Sequence, residues 1–333
     1  MIFASLLSRV RLFRTGPLVL LAGVLLTTVG CATDQQVISQ ANSVHTELEP
    51  AVVPPNEELS QYLQKVGDRI VAAARQWHQD GGIPSAEPWM FEDIEFHVVA
   101  SPQLNAFTTG GKHVYFYTKL LEEVDSEDAM AAVVGHEFGH IIGRHVQGSM
   151  NRQMGILAAA AGAGAVGALL AEDGKRMETG AMAAGATAGV GTLAGMKWGR
   201  DGEREADDLG FDFYVRAGYD PDKFDDFFRV LAEKSSGGGG LQGYLSTHPQ
   251  SADRVKAAER RAAGVDASEV QRFDRPNVAS QAEFDRYRSR AAQYSKQAEA
   301  NPNTSQAFQD AQALLAAFPS CLEADDAEPE GDS

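Results

Sequence analysis

Ser126-Glu-Asp-Ala-Met-Ala-Ala-Val-Val-Gly-His136-Glu137-Phe-Gly-His140-Ile-Ile-Gly-Arg-His145 decides the reading of this chain. It opens on a serine that can cap a helix and places two acids in the first turn, where the helix dipole favours them. Apolar residues then recur at Met130, Val133, Val134, Phe138, Ile141 and Ile142, which predicts a buried amphipathic helix. His136 and His140 are four apart, so at about 100° per residue their imidazoles share one face. Two such nitrogens can hold one Zn²⁺ at roughly 2.0–2.1 Å, and Glu137 is placed to take a proton from a water on the metal. A purely structural zinc site has no use for that glutamate.

Two histidines leave the metal short of ligands, and the natural source of a third is a second helix with a carboxylate facing inward. Gly202-Glu-Arg-Glu-Ala-Asp-Asp-Leu-Gly-Phe-Asp-Phe-Tyr-Val-Arg-Ala-Gly218 reads as that helix, with Leu209, Phe213 and Val215 inward and Gly218 at its end. Glu203 and Asp207 share a face, whereas Glu205 is rotated by about 200° from each. Glu203 then completes a His₂Glu set with an open fourth position. Asp207 accepts from the outer nitrogen of a ligating histidine, and Glu205 is left to solvent or to Arg204 or Arg200.

HEFGH at 136–140, followed by Glu203-Arg-Glu-Ala-Asp207, resembles the HtpX/Ste24-like zinc metallopeptidases, which pair HExxH with a downstream ExxxD. Asn105-Ala-Phe-Thr-Thr-Gly-Gly-Lys-His-Val-Tyr-Phe-Tyr-Thr-Lys-Leu-Leu121 is similar to the family's strand and turn that run into the zinc helix. Ser246-Thr-His248-Pro249, with Arg254 after it, is similar to the His-Pro loop of the periplasmic BepA- or LoiP-like branch. These elements span roughly residues 57–263. The resemblance implies an α+β, mainly helical fold: a zincin-type metallopeptidase domain with a small β-sheet beside the HExxH helix and a second ligand-bearing helix. It implies one Zn²⁺ per chain and protein or peptide substrates that are misfolded or misassembled in the bacterial cell envelope. The outer-membrane assembly machinery is an implied partner. The rival class is a chaperone-like scaffold for outer-membrane assembly with an idle zinc site, and the intact Glu137 speaks against it.

In the implied mechanism Glu137 is the general base. His248, with Arg254 or Tyr244 behind it, has two readings: a donor that steadies the tetrahedral oxyanion, or a fourth ligand that closes on the zinc and silences the enzyme. On a continued helix His145 faces away from His140, and His45, His78, His97 and His113 read as surface or strand residues. Upstream, Ile94, Phe96 and Val98 alternate with Glu95 and His97, and Val114 and Phe116 with His113, Tyr115 and Tyr117. That is strand periodicity with one buried face, and Gly110-Gly111 supplies the turn of a hairpin. An edge strand beside the metal can take up an extended peptide by strand addition, although an ordinary packed hairpin has the same sequence.

Residues 1–31 carry Arg9, Arg11 and Arg14, an apolar run Pro17–Leu26 and then Thr28-Val-Gly-Cys31, the order of a bacterial signal peptide ending in a lipoprotein-type cleavage site. Processing makes Cys31 a lipidated N-terminus on the periplasmic side of the envelope; an uncleaved anchor is the alternative. Ala32 resembles lipoproteins sent to the outer membrane. Residues 32–55 read as a tether ending in Pro54-Pro55, before a helix over 57–77 with an apolar stripe at Leu59, Tyr62, Leu63, Val66 and Ile70. The metallopeptidase domain covers 56–265 and a helical extension 266–320. Pro221 starts a further helix to about Lys234, and a glycine run follows at 237–240. Residues 154–196 are two Ala/Gly-rich stretches, read as a helical hairpin packed beside the active site or touching the membrane surface, rather than as two spans.

The chain has a net charge of −17, and removal of residues 1–30 takes away three arginines and no acids, so its surface repels nucleic acid. Residues 321–333 form an acidic stretch too polar to bury, expected as a disordered tail. Cys321 has no partner once Cys31 is lipidated, which leaves no intrachain disulfide and no cysteine mechanism.

Overall fold

The computed structural model describes residues 32–151, 199–229, 248, 252–265, 273 and 278–301. The signal segment with Cys31, the Ala/Gly-rich stretch 154–196, the glycine run at 237–240, Tyr244, Pro249, Cys321 and the acidic tail lie outside the described residues. The elements below belong to one unit, Thr33–Gly148 with Met196–Ala317.

Thr33 starts the first helix, α1 (Asp34–Leu48), with a reciprocal cap: its hydroxyl accepts from the Gln36 N–H, and the Gln36 side chain accepts from the Thr33 N–H. Val37, Ala41, Val44 and Leu48 recur every three or four residues and are buried. The segment expected as a tether is therefore mostly a packed helix. Its apolar stripe is one residue wide in polar surroundings, so composition conceals it. Helix α2 (Glu58–Gln79) follows, with its whole expected stripe from Leu59 to Ile70 buried.

Strands β1 (Glu95–Val99), β2 (Ala106–Thr108) and β3 (His113–Tyr117) form one sheet in the order β1-β3-β2. β3 runs parallel to β1, with Phe96 opposite Val114, and antiparallel to β2, with Phe107 opposite Tyr115. The hairpin turn at Gly110-Gly111 thus joins β2 to β3, whereas the two strongly alternating segments pair in parallel through the longer connection that parallel strands require. Gly110 makes the turn at φ 79°, a conformation that side chains disfavour. One buried face was expected of β3, yet all five of its residues are buried. The reason is α1: Val44 and Leu48 pack with Phe107, Tyr115 and Tyr117 on one face of the sheet, while Phe96, Val98, Val114 and Phe116 join the main core on the other.

Helix α3 (Thr118–Glu123) leads to α4 (Glu127–Ile142), which carries the HExxH motif. The Ser126 hydroxyl caps α4 by accepting from the Ala129 N–H, and every residue of the helix is buried. Its principal neighbour is α5 (Arg200–Arg216), which stops before Gly218 at φ 83°. The two helices touch backbone to backbone. A Cβ on Gly139 would lie 2.7 Å from the Ala206 carbonyl oxygen, and one on Gly210 would lie 2.8 Å from the Gly135 carbonyl carbon. Only glycine permits that approach. The expected helix from Pro221 begins as a 3₁₀ turn, Pro221–Lys223, with helical residues at 226–229; residues 230–234 are not among those described.

Helices α6 (Ala252–Gly264) and α7 (Gln281–Glu299) complete the unit. The region 266–320 was expected as an extension, but α7 is stitched into the domain. Phe284 and Ala291 are buried, the Tyr287 ring stacks on Tyr62 at 4.0 Å, the Ser295 hydroxyl donates to Thr118 Oγ1 at 2.9 Å, and the Ala279 N–H donates to Glu127 Oε2 at 2.7 Å. The fold is α+β and mainly helical, with a small sheet beside the HExxH helix. Among the described residues no helix is long and apolar enough to cross a membrane.

Candidate active site

Because α4 and α5 approach so closely, the inward faces of the two helices share one buried space. His136 and His140, one turn apart on α4, aim their Nε2 atoms at each other, 3.1 Å apart. Glu203, in the first turn of α5, places Oε1 3.5 Å from His140 Nε2 and Oε2 3.7 Å from His136 Nε2. His248 comes from the connection between α5 and α6, with Nδ1 3.2 Å from His136 Nε2 and 3.1 Å from Glu203 Oε1. All four side chains are at most 2% exposed.

A second layer holds these atoms. Asp207, one turn after Glu203, takes the His136 Nδ1–H at 2.9 Å, which leaves His136 Nε2 as a bare lone pair. Arg254 of α6 closes on both acids, donating from Nε and Nη2 to Asp207 at 2.7 Å each and from Nη1 to Glu203 Oε2 at 2.6 Å. This is the fork geometry that suits guanidinium to carboxylates. Arg254 was read only as a group behind His248; it is instead the clamp of the second helix. Two carboxylates on one buried face were the signal that a cation had to be found for them.

His145 does not face away. Gly143 ends α4, and Arg144 takes a left-handed φ of 53°, so the 100° step no longer applies beyond it. His145 folds back with Nδ1 2.7 Å from His140 Nδ1, and its Nε2 lies 3.3 Å from Glu205 Oε2. Glu205 is therefore partnered by a histidine, not by Arg200 or Arg204. His78 bonds the Ile83 carbonyl at 2.7 Å. His97 and His113 are strand residues, as read, but they gather with His45 of α1 and with Glu95. Burial, reinforced by the neighbouring imidazoles, pushes His97 down to about 3 and His113 down to about 4.

The four inward groups fit a metal ion. For bonds of 2.0–2.1 Å, a tetrahedron has edges of about 3.3–3.4 Å; the five spacings given above run from 3.1 to 3.7 Å, and one ligand atom from each residue lies within 4.8 Å of the others. The lone pair on His136 Nε2 is turned toward two other imidazole nitrogens and a carboxylate, the convergence that suits a shared cation. Charge points the same way. Glu137, Glu203 and Asp207 are buried beside the guanidinium of Arg254, and a divalent ion brings those four side chains to neutrality.

Glu137 stands apart from the cage. It is fully buried, and among the described residues neither carboxylate oxygen has a hydrogen-bond partner; His248 Nε2 lies 3.5 Å from Oε1. Burial pushes its carboxyl up. For His248, burial opposes protonation, but Glu137 and Glu203 outweigh it and move the imidazole up.

The sequence profile of peptidase family M48 matches residues 59–262, which takes in α2, the sheet, α4, α5 and nearly all of α6. The chain belongs to peptidase family M48. Among curated proteins it is 30% identical over 209 residues to the beta-barrel assembly-enhancing protease of Yersinia pestis, covering 61% of this chain and 39% of that protein. The Escherichia coli K12 protein of the same name is 28% identical over the same length and coverage. The mitochondrial metalloendopeptidase OMA1 of Saccharomyces cerevisiae is 27% identical over 228 residues, covering 64% of this chain and 59% of its own. The match thus spans about two fifths of the length of the two bacterial proteases. Family membership accords with the HEFGH and ExxxD motifs, both of which lie inside the matched region.

Proposed function

We propose that this protein is a zinc-dependent endopeptidase that cuts misfolded or misassembled proteins on the periplasmic side of the bacterial envelope, held to the outer membrane by lipid on Cys31. The observation that carries the reaction is Glu137: a fully buried carboxylate beside a metal-ligand cage, 3.5 Å from His248 Nε2 and with no hydrogen-bond partner among the described residues. A buried carboxylate without hydrogen-bond donors is costly, and a carboxylate that must accept a proton during the reaction is a reason to keep it so. The location rests on the signal-like first 31 residues and on relatives named for beta-barrel assembly. Mass spectrometry that finds an unprocessed Met1 removes it.

His136, His140 and Glu203 hold the ion in this reading. A bound Zn²⁺ supplies Lewis acidity, drawing the pKa of a coordinated water toward about 7 and polarising the scissile carbonyl. Glu137 takes the proton from the attacking water and delivers it to the leaving nitrogen. Asp207 and His145 keep the two imidazoles oriented, and Arg254 keeps Glu203 and Asp207 in place. Substrate enters as an added strand. The edge of β1 is already met by the backbone of residues 51–53, through Val53 N–H to Val98 O and Ala100 N–H to Ala51 O. Among the described residues that leaves the far edge of β2, which packs against α4, as the strand beside the site.

Of the two readings of His248, the geometry favours closure. Its Nδ1 fills the fourth corner, where a reacting water would stand, so hydrolysis requires His248 to swing away. His248→Ala is expected to raise casein hydrolysis several-fold; a fall instead would make His248 the oxyanion donor. The central test is casein cleavage by the full-length protein before and after chelation, with metal content measured on the same samples. Chelation should abolish cleavage and zinc should restore it. Glu137→Gln should keep the metal and lose at least about 100-fold in rate. Activity that survives in the glutamine variant to within tenfold puts the base elsewhere, and a zinc-bearing wild type that never cuts favours the scaffold.

A further inference from the structure

A second group of chemistry-bearing side chains lies on the α1 side of the sheet, with no part in the reaction above. Glu95 and His97 are two apart on β1 and point to one face, and β3 sets His113 directly opposite Glu95 in the parallel register. His45 descends from α1 onto the same spot, its ring 4.4 Å from each of the other two imidazoles. We propose that His45, Glu95, His97 and His113 form a second divalent-metal site, selective for Zn²⁺ or an ion of the same ligand preference, that fastens α1 to the sheet.

Spacing carries the proposal. His97 Nε2 lies 3.0 Å from His113 Nδ1, and Glu95 Oε2 lies 3.4 Å from the first and 3.3 Å from the second. Those are the edges of one face of a tetrahedron whose centre is about 2.0–2.1 Å from each atom. One ligand atom from each of the four residues lies within 4.8 Å of the others. Three imidazoles with one carboxylate is a donor set for zinc rather than for magnesium or calcium, which prefer oxygen.

The outer hydrogen bonds agree. Asn42 of α1 offers Oδ1 to the His113 Nε2–H at 3.1 Å, which leaves Nδ1 bare and turned toward His97 and Glu95. The Tyr115 hydroxyl, 3.2 Å from His45 Nδ1, can accept its N–H and leave Nε2 as the ligand atom. His45 is the ligand that must turn, since its ring now lies nearly parallel to that of His113, at 4°. An ion has a way in: an open cavity of about 780 Å³ is lined by His45, Glu95 and His97, and the Glu95 side chain is 54% exposed.

The competing explanation is a proton: one charged imidazole sharing its N–H with Glu95 needs no metal. Zinc stoichiometry separates the two. Full-length protein equilibrated at a low buffered free zinc concentration should carry two zinc ions per chain. His97→Ala/His113→Ala should carry one and keep casein hydrolysis, because neither residue touches the HExxH cage. His136→Ala/His140→Ala should also carry one, lose hydrolysis, and show zinc-dependent slowing of amide exchange in α1. If the buried pair of alanines prevents folding, His45→Asn/Glu95→Gln reads the same loss at less buried positions. Wild type with one zinc that the His136→Ala/His140→Ala change removes overturns the proposal, as does a second zinc that none of the sheet variants releases. One zinc that survives in His136→Ala/His140→Ala but leaves with the sheet variants supports it, and refutes the catalytic reading instead.

Discussion

The two imidazole groups in this unit are held in different ways. Between α4 and α5, His136, His140 and His248 are at most 1% exposed, and the neighbouring Glu137, Glu203, Asp207 and Arg254 are buried with them. Arg254 offsets part of the cost of burying three carboxylates by satisfying two of them through three short hydrogen bonds. On the sheet there is one carboxylate, Glu95, and it is more than half exposed. The ligand side chains of the first group are held by other side chains before an ion arrives: His136 by Asp207, His140 by His145, Glu203 by Arg254 and His248 by Glu203. The second group depends on the register of β1 against β3 and on α1 staying folded above them. The first should respond to the loss of a single atom, and the second to anything that loosens α1.

The largest expected effect breaks the buried group at Glu203. Glu203→Ala should abolish both metal content and hydrolysis, since it removes a ligand and takes from Arg254 one of the two carboxylates it clamps. Asp207→Ala should weaken metal binding by roughly 10–100-fold through the freed His136 ring. Glu205→Ala, at an exposed position that meets only His145 among the described residues, should keep the metal and most of the activity. Metal lost from the Glu205 variant and retained in the Glu203 variant would reverse the assignment.

The motif-bearing helices were legible because their chemistry is local. His136 and His140, and again Glu203 and Asp207, stand one turn apart, and a regular helix turns that spacing into a shared face without help from the rest of the chain. His145 was misread where that regularity ends, at the left-handed Arg144. The sheet group was not legible at all. His45, His97 and His113 come from three elements, and what unites them is a parallel pairing that the alternating pattern does not reveal and a helix taken for a tether. Arg254 was legible as a residue of the His-Pro element but not in its role, because only the folded path of α6 brings it to two acids on α5.

A smaller effect sharpens the same contrast at the contact between the two helices. Gly139 lies against the Ala206 backbone with no room for a Cβ, so Gly139→Val must push α5 away from α4. Overpacking of this kind costs about 1–3 kcal/mol, visible as a lower urea midpoint. Because Glu203 rides on the displaced helix, metal affinity should fall along with stability. If stability drops while metal affinity holds, the cage is set by the Arg254 clamp rather than by the spacing of the helices.

The smallest expected effect falls on the region that the pattern concealed. Thr33→Ala removes the hydroxyl that accepts the Gln36 N–H and breaks one half of the reciprocal cap on α1. An N-cap of this type is worth about 1 kcal/mol, typically between 0.5 and 2. How that loss appears depends on whether α1 unfolds with the rest of the unit or ahead of it. Val44, Leu48 and the sheet residues Phe107, Tyr115 and Tyr117 form one packed cluster, so the helix cannot leave without exposing one face of the sheet. The loss should therefore lower the global urea midpoint, with casein hydrolysis unchanged because no residue of α1 reaches the HExxH cage. If only the amide exchange of residues 34–48 quickens and the global midpoint stays, α1 is a separately opening element, closer to the tether that its composition suggests.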